Sequence, residues 1–421
     1  MSTSVAVDHR RVAEGAAFSI ILALGFSHFL NDTMQSLVPA LYPMLKTSYG
    51  LSFTQIGLIT LTMQVTSSML QPMVGHLADR RPQPYSLATG MAFTFTGLVL
   101  LAHATSFPVL LFAAAVAGMG SAVFHPEASR MARLASGGRH GLAQSLFQVG
   151  GNVGSALGPL LAAFIVIPRG QGSVAWFSAA ALVAMVVLVR VGNWYRRERS
   201  APARVRGWHG GEAPNLSRQR VAWSVAILLA LIFSKAFYQA GITSYLIFYL
   251  TGKFQISVAS AQFYLFAFLA SVAIGTLVGG PLGDRIGRKA VIWGSIVGVL
   301  PFALMLPYAN LFWTGVLIVI VGLVLASATS AIIVYALDLL PGRIGMVSGM
   351  FFGLSFGLAG IGAAALGRLA DLTSIAYVYK LTAFLPAIGL LTAFLPDIGR
   401  AAPPNPKPKR GVEAAAPAPA E

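Results

Sequence analysis

The sequence predicts an all-α membrane protein in which twelve transmembrane helices form two six-helix bundles. Three observations predict it. Apolar runs of about 18 or more residues recur along the chain, and such a run crosses the hydrocarbon core of a bilayer as a helix. Basic residues gather on alternate connections between those runs. One stretch is written twice, about half the chain apart, so a six-span unit has been duplicated. Composition agrees, at 56% hydrophobic and only 10% charged, where an average soluble chain is about a quarter charged.

In chain order the spans are expected at 16–44, 53–79, 84–104, 107–133, 140–167, 173–195, 220–251, 257–283, 289–308, 311–340, 344–369 and 374–396. This divides the chain into an N-terminal six-helix bundle (1–195), a cytoplasmic linker (196–219), a C-terminal six-helix bundle (220–396) and a tail (397–421). The linker carries Arg, Gly and Pro without an apolar period, and the Pro/Ala/Lys-rich tail has the composition of disorder.

One side of the membrane receives Arg10 and Arg11, Arg80 and Arg81, Arg130, Arg133 and Arg139, the run from Arg196 to Arg220, Arg285, Arg288, Lys289, Arg343 and the C-terminal basic residues. The other receives little more than Lys46, Arg169, Lys253 and Arg368. The positive-inside rule therefore places both termini in the cytoplasm. A formal charge of +16 would suit nucleic acid, but its placement at span ends suits anionic lipid headgroups instead. Cysteine is absent, which excludes thiol chemistry and leaves the redox compartment unmarked.

The first span follows Arg10 and Arg11 like a signal peptide. However, Asn31 and Asp32 lie inside it and no cleavage site follows, so it is expected to remain as the first helix. It carries His28, Asn31, Asp32 and Gln35, whose spacings of three and four put them on one helical face. Ionisable groups inside a membrane are costly and mark a pathway or a proton relay. That face is expected to line a cavity. Ser52-Phe53-Thr54-Gln55 is a capping box opening span 2, and Ser257 holds the same place before span 8.

Span 4 contains Phe124-His125-Pro126-Glu127, with Arg130 following. Glu127 has two readings: proton carriage with His125, or a bridge to Arg130 or Arg80. Span 5 places Gln144, Gln148 and Asn152 four apart on one face, able to bind a polar solute or to tie helices together. Its Gly150, Gly154 and Gly158, like Gly353 and Gly357 of span 11, read as sites of close helix approach. In span 7, Phe233-Ser234-Lys235 matches Phe26-Ser27-His28 of span 1, with Tyr238 and Gln239 close behind. Lys235 is too deep to snorkel easily, so it needs an anionic partner: Asp32 in a fixed bridge, or a solute. Asp338, near the end of span 10, is expected to work with Arg285.

The duplicated stretch is Gly75-His76-Leu77-Ala78-Asp79-Arg80, which returns as Gly280-Pro281-Leu282-Gly283-Asp284-Arg285, followed by Ile286-Gly287-Arg288-Lys289. Gly138-Arg139-His140-Gly141-Leu142 likewise returns as Gly342-Arg343-Ile344-Gly345-Met346. The pattern G-x-L-[AG]-D-R-x-G-R-K resembles the loop signature of the major facilitator superfamily. The second copy matches throughout, whereas the first departs after Arg80, where Arg81-Pro82-Gln83-Pro84 stands. The G-x-x-x-G-P end of span 5 resembles that of the superfamily's antiporters. S-H-F-x-N-D in span 1, D-R-R-P-Q-P-Y after span 2, F-H-P-E-A-S-R in span 4 and Q-S-x-F-Q-V-G-G-N-x-G-S-A-L-G-P in span 5 together resemble the fosmidomycin-resistance branch.

The resemblance implies two bundles related by an axis along the membrane normal, each of inverted three-helix repeats, with a binding site at midplane between them. It implies a bacterial inner-membrane exporter of a phosphonate antibiotic, exchanging drug for protons, with no cofactor, no metal and no partner beyond solute, protons and lipid; a monomer suffices. Asp32 is the first choice for the proton carrier, since surroundings govern the protonation of a carboxylate, and Glu127 and His125 are the further proton-coupling candidates. His28, Asn31, Gln35, Gln148, Asn152, Lys235, Tyr238 and Gln239 are the expected substrate contacts. Asp79, Arg80, Asp284, Arg285 and Asp338 are the expected gate. The alternative is proton-coupled uptake of a sugar or organic acid. An enzyme is not expected: there is no H-E-x-x-H, and Gly353-Leu354-Ser355-Phe356-Gly357 sits in a membrane helix without the strand-turn-helix that a nucleophile elbow needs.

Overall fold

The computed structural model describes residues 3–80, 83–136, 140–198, 216–340 and 344–398, and every element among them is helical. The first half holds α1 (Thr3–Ala40), α2 (Tyr42–Tyr49), α3 (Phe53–Arg80), α4 (Ser86–Ala102), α5 (Phe107–Ala135), α6 (His140–Leu161), α7 (Ile167–Arg169) and α8 (Ser178–Glu198). The second half holds α9 (Arg218–Phe254), α10 (Val258–Ile286), α11 (Arg288–Ile296), α12 (Leu300–Met305), α13 (Leu311–Leu339), α14 (Ile344–Leu372) and α15 (Ile375–Thr382). Short π and 3₁₀ turns join α6 to α7, lead into α8, flank α12 and follow α15.

Among the described residues, with α1 and α2 joined across Leu41 and the others through those turns, the helices make twelve stretches that match the expected spans, except that the first runs from Thr3 to Tyr49 rather than 16–44. Nine described stretches are long and apolar enough to cross a membrane, and Ser86–Ala102 is a shorter apolar one. The stretches of α1 and α3 fall outside that set. They are diluted by polar residues, from Ser27 to Ser36 in one and from Thr60 to Gln71 in the other. The membrane-crossing fold therefore rests on packing of polar faces inward.

Local chemistry sets the ends. The expected capping box is present: Gln55 N–H donates to Ser52 Oγ (3.1 Å) and Ser52 N–H to Gln55 Oε1 (2.9 Å). Ser257 caps α10 through the N–H of Ser260 at 3.0 Å, and Asn310 caps α13 through that of Trp313 at 3.0 Å. Gly287, at φ 95°, makes the sharp turn between α10 and α11. Pro159 removes an N–H near the end of α6, and a π turn at Ala162–Val166 follows it.

The glycines of span 5 are where the backbones touch. A Cβ on Gly150 would lie 2.0 Å from Gly25 O, on Gly154 2.2 Å from Phe29 O and on Gly158 2.1 Å from Ser36 Oγ. The stripe lets α6 lie directly on α1, as small residues do in lipid. Between the halves, α3 packs on α14 and α6 on α10.

Core placement shows how the halves meet. One continuous apolar cluster takes in the first half from Leu87, Met131 and Tyr195 to Leu41, Leu45 and Leu51, and joins the second half at the end remote from the chain termini through Tyr245, Leu250, Leu306 and Val378. At the termini end the described clusters are separate. One joins Ile21, Ala135 and Ala143 in the first half; the other joins Leu228, Ile292, Tyr335 and Leu395 in the second. Among the described residues the halves share a core only at the remote end.

Candidate functional site

Three of the expected residues converge. Asp32 on α1 lies 3.3 Å from His28 Nε2 through Oδ2 and 3.6 Å from His125 Nε2 through Oδ1. Asn31 Nδ2 donates to Asp32 Oδ1 (3.0 Å) and Ser155 Oγ to Oδ2 (3.4 Å). Thr94 of α4 holds Asn31 in turn, donating to its Oδ1 at 3.3 Å. The helical spacing that predicted one polar face on α1 thus delivers His28, Asn31 and Asp32 to one place, and α5 and α6 complete it.

The backbone fixes the tautomer of His28. His28 Nδ1 lies 2.8 Å from Phe147 O and His125 Nδ1 3.1 Å from Ser121 O. A carbonyl oxygen only accepts, so His28 Nδ1 carries the hydrogen and its Nε2 lone pair turns toward Asp32, whereas His125 Nδ1 also lies 3.0 Å from the Ser121 hydroxyl, which can donate to it and leave an Nε2–H facing Asp32. The His28 ring also stacks on Phe147 with centroids 4.1 Å apart. The His28 lone pair aimed at an ionised carboxylate repels it unless a proton lies between them. The ligand atoms all lie within 4.8 Å of one another, close enough for one cation to be shared.

Burial grades the cluster. The His28 side chain is 3% exposed, whereas Asp32 and His125 are 19% and 20% exposed. His125 faces the other half, its ring 6.1 Å from that of Phe356 on α14. The open side of the cluster therefore looks into the seam between the halves. Gly151 makes room for it: a Cβ there would stand 2.3 Å from His28 Nε2 and 2.8 Å from Asp32 Oδ2. Gly151→Ala should displace His28, lower the melting temperature by an amount equivalent to about 1–3 kcal/mol of overpacking and cut transport. Thermal melts and transport of the purified variant check this; unchanged transport would show that the His28–Asp32 contact is dispensable.

The remaining expected residues divide. Gln35 Nε2 and Asn152 Nδ2 are buried donors without a partner among the described residues, as donors reserved for a solute would be. No hydrogen bond is described for the Gln148 or Gln239 side chains. Gln144 is a helix tie, accepting from Ser129 Oγ at 3.0 Å. Tyr238 is 4% exposed and packs in the apolar core shared by the two halves. Lys235 does not bridge to Asp32: its Nζ donates to Thr329 Oγ1 on α13, and no carboxylate pairs with it among the described residues.

Glu127 follows its bridging reading. It is buried, ion-paired to Arg130 at 3.4 Å and bonded by Ser86 Oγ at 3.3 Å, while Arg130 also donates to Tyr195 OH at 2.7 Å. Asp338 corrects the expected pairing, because its partner is Arg288 rather than Arg285. Gly287 reverses the chain after α10, which brings Arg288 at the start of α11 against α13 and leaves Arg285 exposed. The side chains of Asp79, Arg80 and Asp284 lie outside the described residues.

Sequence reasoning missed Ser155, Thr94 and Thr329. Ser155 was within reach, since it continues the Gln148–Asn152 face at a spacing of three. Thr94 and Thr329 carry no spacing signal and are recognised only once α4 and α13 are packed.

The Major Facilitator Superfamily model matches the chain over residues 24–255 and 236–420. The chain is 61% identical over 377 residues to the fosmidomycin resistance protein of Escherichia coli (strain K12), covering 89% of this chain and 92% of that protein. It is 40% identical over 375 residues to the uncharacterized MFS-type transporter YfnC of Bacillus subtilis (strain 168), with the same coverages. Among solved structures, the nucleoside transporter NupG superposes with a TM-score of 0.69 at 15% identity, over 89% of this chain and 98% of that one. That last likeness speaks for the fold alone.

Proposed function

The chain belongs to the major facilitator superfamily, and from that premise we propose that it is a proton-coupled exporter of a small anionic, phosphonate-type antibiotic such as fosmidomycin. That it is a multi-pass membrane protein acting on a small-molecule substrate follows from the family. The observation that carries the proton reading is the Asp32 cluster, a carboxylate faced by two imidazole Nε2 atoms at the seam between the halves. Lys235, in the opposite half and without a carboxylate partner among the described residues, supports an anionic cargo. Gln35 and Asn152 supply unpaired donors for its oxygens.

In this reading the cycle is alternating access. Solute enters from the cytoplasm between the halves and meets Lys235 and the amide donors. Rocking of the bundles about the seam exposes it to the far side, where protons load the Asp32 cluster and return with it. The shared core at the remote end and the separate cores at the termini end agree with a conformation closed at the far mouth. The resemblance to a resistance protein favours export over uptake of a sugar or organic acid, and nothing in the cluster calls for a catalytic role.

We place the termini in the cytoplasm of the bacterial inner membrane, from the basic residues of the alternate loops. Single cysteines at Trp208 and Asn405 should then react with an impermeant thiol reagent only after the membrane is opened. Cysteines at Thr47 and Gly252 should react in intact cells. Labelling at Trp208 from outside would break the topology. Substrate class is tested by counterflow in proteoliposomes with phosphonates, sugars and organic acids. Phosphonates should exchange; exchange of sugars or organic acids alone would reject the cargo.

A further inference from the structure

Asp371 is the penultimate residue of α14, and its carboxylate does not serve its own helix. An acid in a last turn faces the negative end of that helix's dipole and is disfavoured there. Its partners lie across the seam instead. The N–H of Phe53 donates to Oδ1 (2.8 Å), and the N–H and hydroxyl of Thr54 donate to Oδ2 (2.7 and 2.6 Å). These two N–H groups are the ones the α3 capping box leaves over, since Ser52 Oγ takes the N–H of Gln55. A carboxylate of the second half thus completes the N-terminus of a helix in the first.

The surroundings make this contact a closure rather than a surface accident. Buried Tyr245 of α9 donates to Ala363 O (2.6 Å) beside it. A Cβ on Gly57 would stand 2.5 Å from Ala363 O, and one on Gly367 2.3 Å from Phe53 O, so α3 and α14 touch backbone to backbone here. Toward the termini end the same two helices are looser: Gly353 and Gly357 would meet Ser68 at only 3.7 and 3.6 Å. No cation pairs with Asp371 among the described residues. The other seam has no counterpart, because the position 204 residues earlier is Ile167.

We propose that Asp371 is the latch of the mouth remote from the termini. Its bonds to the first turn of α3 hold that mouth closed and must break each time the mouth opens. The proposal rests on the alternating-access reading and adds the residue that sets its resting balance. Losing charge-assisted bonds from the closed state alone should raise the population of the remote-open state by about tenfold.

The chain has no cysteine, so spin labels at Ser48 in the first half and Ala376 in the second report the distance across this mouth without background. The wild-type protein should show a short and a long distance whose ratio moves with a pH step or with fosmidomycin. Asp371→Asn, close in shape, and Asp371→Ala should both raise the long component about tenfold; Thr54→Val, which leaves both backbone donors in place, should raise it less. A wild-type distribution that responds while both Asp371 variants match it overturns the latch alone. A single wild-type distance under every condition overturns the latch and alternating access together.

Discussion

Asp32→Asn should abolish proton-driven efflux in proteoliposomes, to the level of liposomes without protein, while substrate exchange continues. Exchange moves no net proton, so it survives loss of the titrating group. Asparagine keeps the shape of the side chain and an acceptor oxygen for Asn31, which now donates to Oδ1 at 3.0 Å, while the Ser155 hydroxyl, now donating to Oδ2 at 3.4 Å, can turn to accept from the new amide NH2. The fold should therefore persist, and a melt of the purified variant verifies it. Loss of exchange in a folded variant would make Asp32 a substrate contact. Retention of proton-driven efflux would remove it from the coupling altogether.

Lys235→Gln should weaken binding of an anionic phosphonate by about 10–100-fold, the value of one hydrogen bond to a charged group. The loss should appear in exchange and in driven efflux alike, because both require the loaded state. In a fixed bridge between Lys235 and Asp32, removing one partner would strand a buried charge at a cost of about 3–5 kcal/mol, and the double neutral variant would recover. In the structure Lys235 bonds Thr329 and Asp32 faces two histidines. The two single defects should therefore combine without rescue. Recovery of driven efflux in Asp32→Asn/Lys235→Gln would turn the pair into a packing device and refute the mechanism.

Much of this was legible in the sequence because the membrane simplifies the physics. A bilayer admits only helices and closed barrels, so apolar runs locate the spans to within a few residues. A charge that survives inside such a run, as at Asp32, marks itself. Helical spacing then brought His28, Asn31 and Asp32 onto one face. Spacing along one helix says nothing of which face a neighbour presents, and this is where the reading stopped. That His125 and Ser155 would meet Asp32 depends on how α5 and α6 pack on α1, and Gly151 matters only because His28 lies against it. Asp338 was matched to Arg285 by equivalence with Glu127 and Arg80 of the first half, whereas the turn at Gly287 selects Arg288. Nothing in the sequence marks Asp371, because its partners are backbone N–H groups 317 and 318 residues away, and backbone groups leave no trace in a sequence.

The most direct test follows the proton itself. Wild-type protein is reconstituted into liposomes preloaded with fosmidomycin and a pH indicator, at equal pH inside and out, and the vesicles are diluted into drug-free buffer. As drug leaves down its gradient, antiport requires protons to enter, so the lumen should acidify, and Asp32→Asn should abolish the signal. Drug efflux with no change in luminal pH, or with alkalinisation as protons leave alongside the drug, would contradict proton-coupled export by exchange.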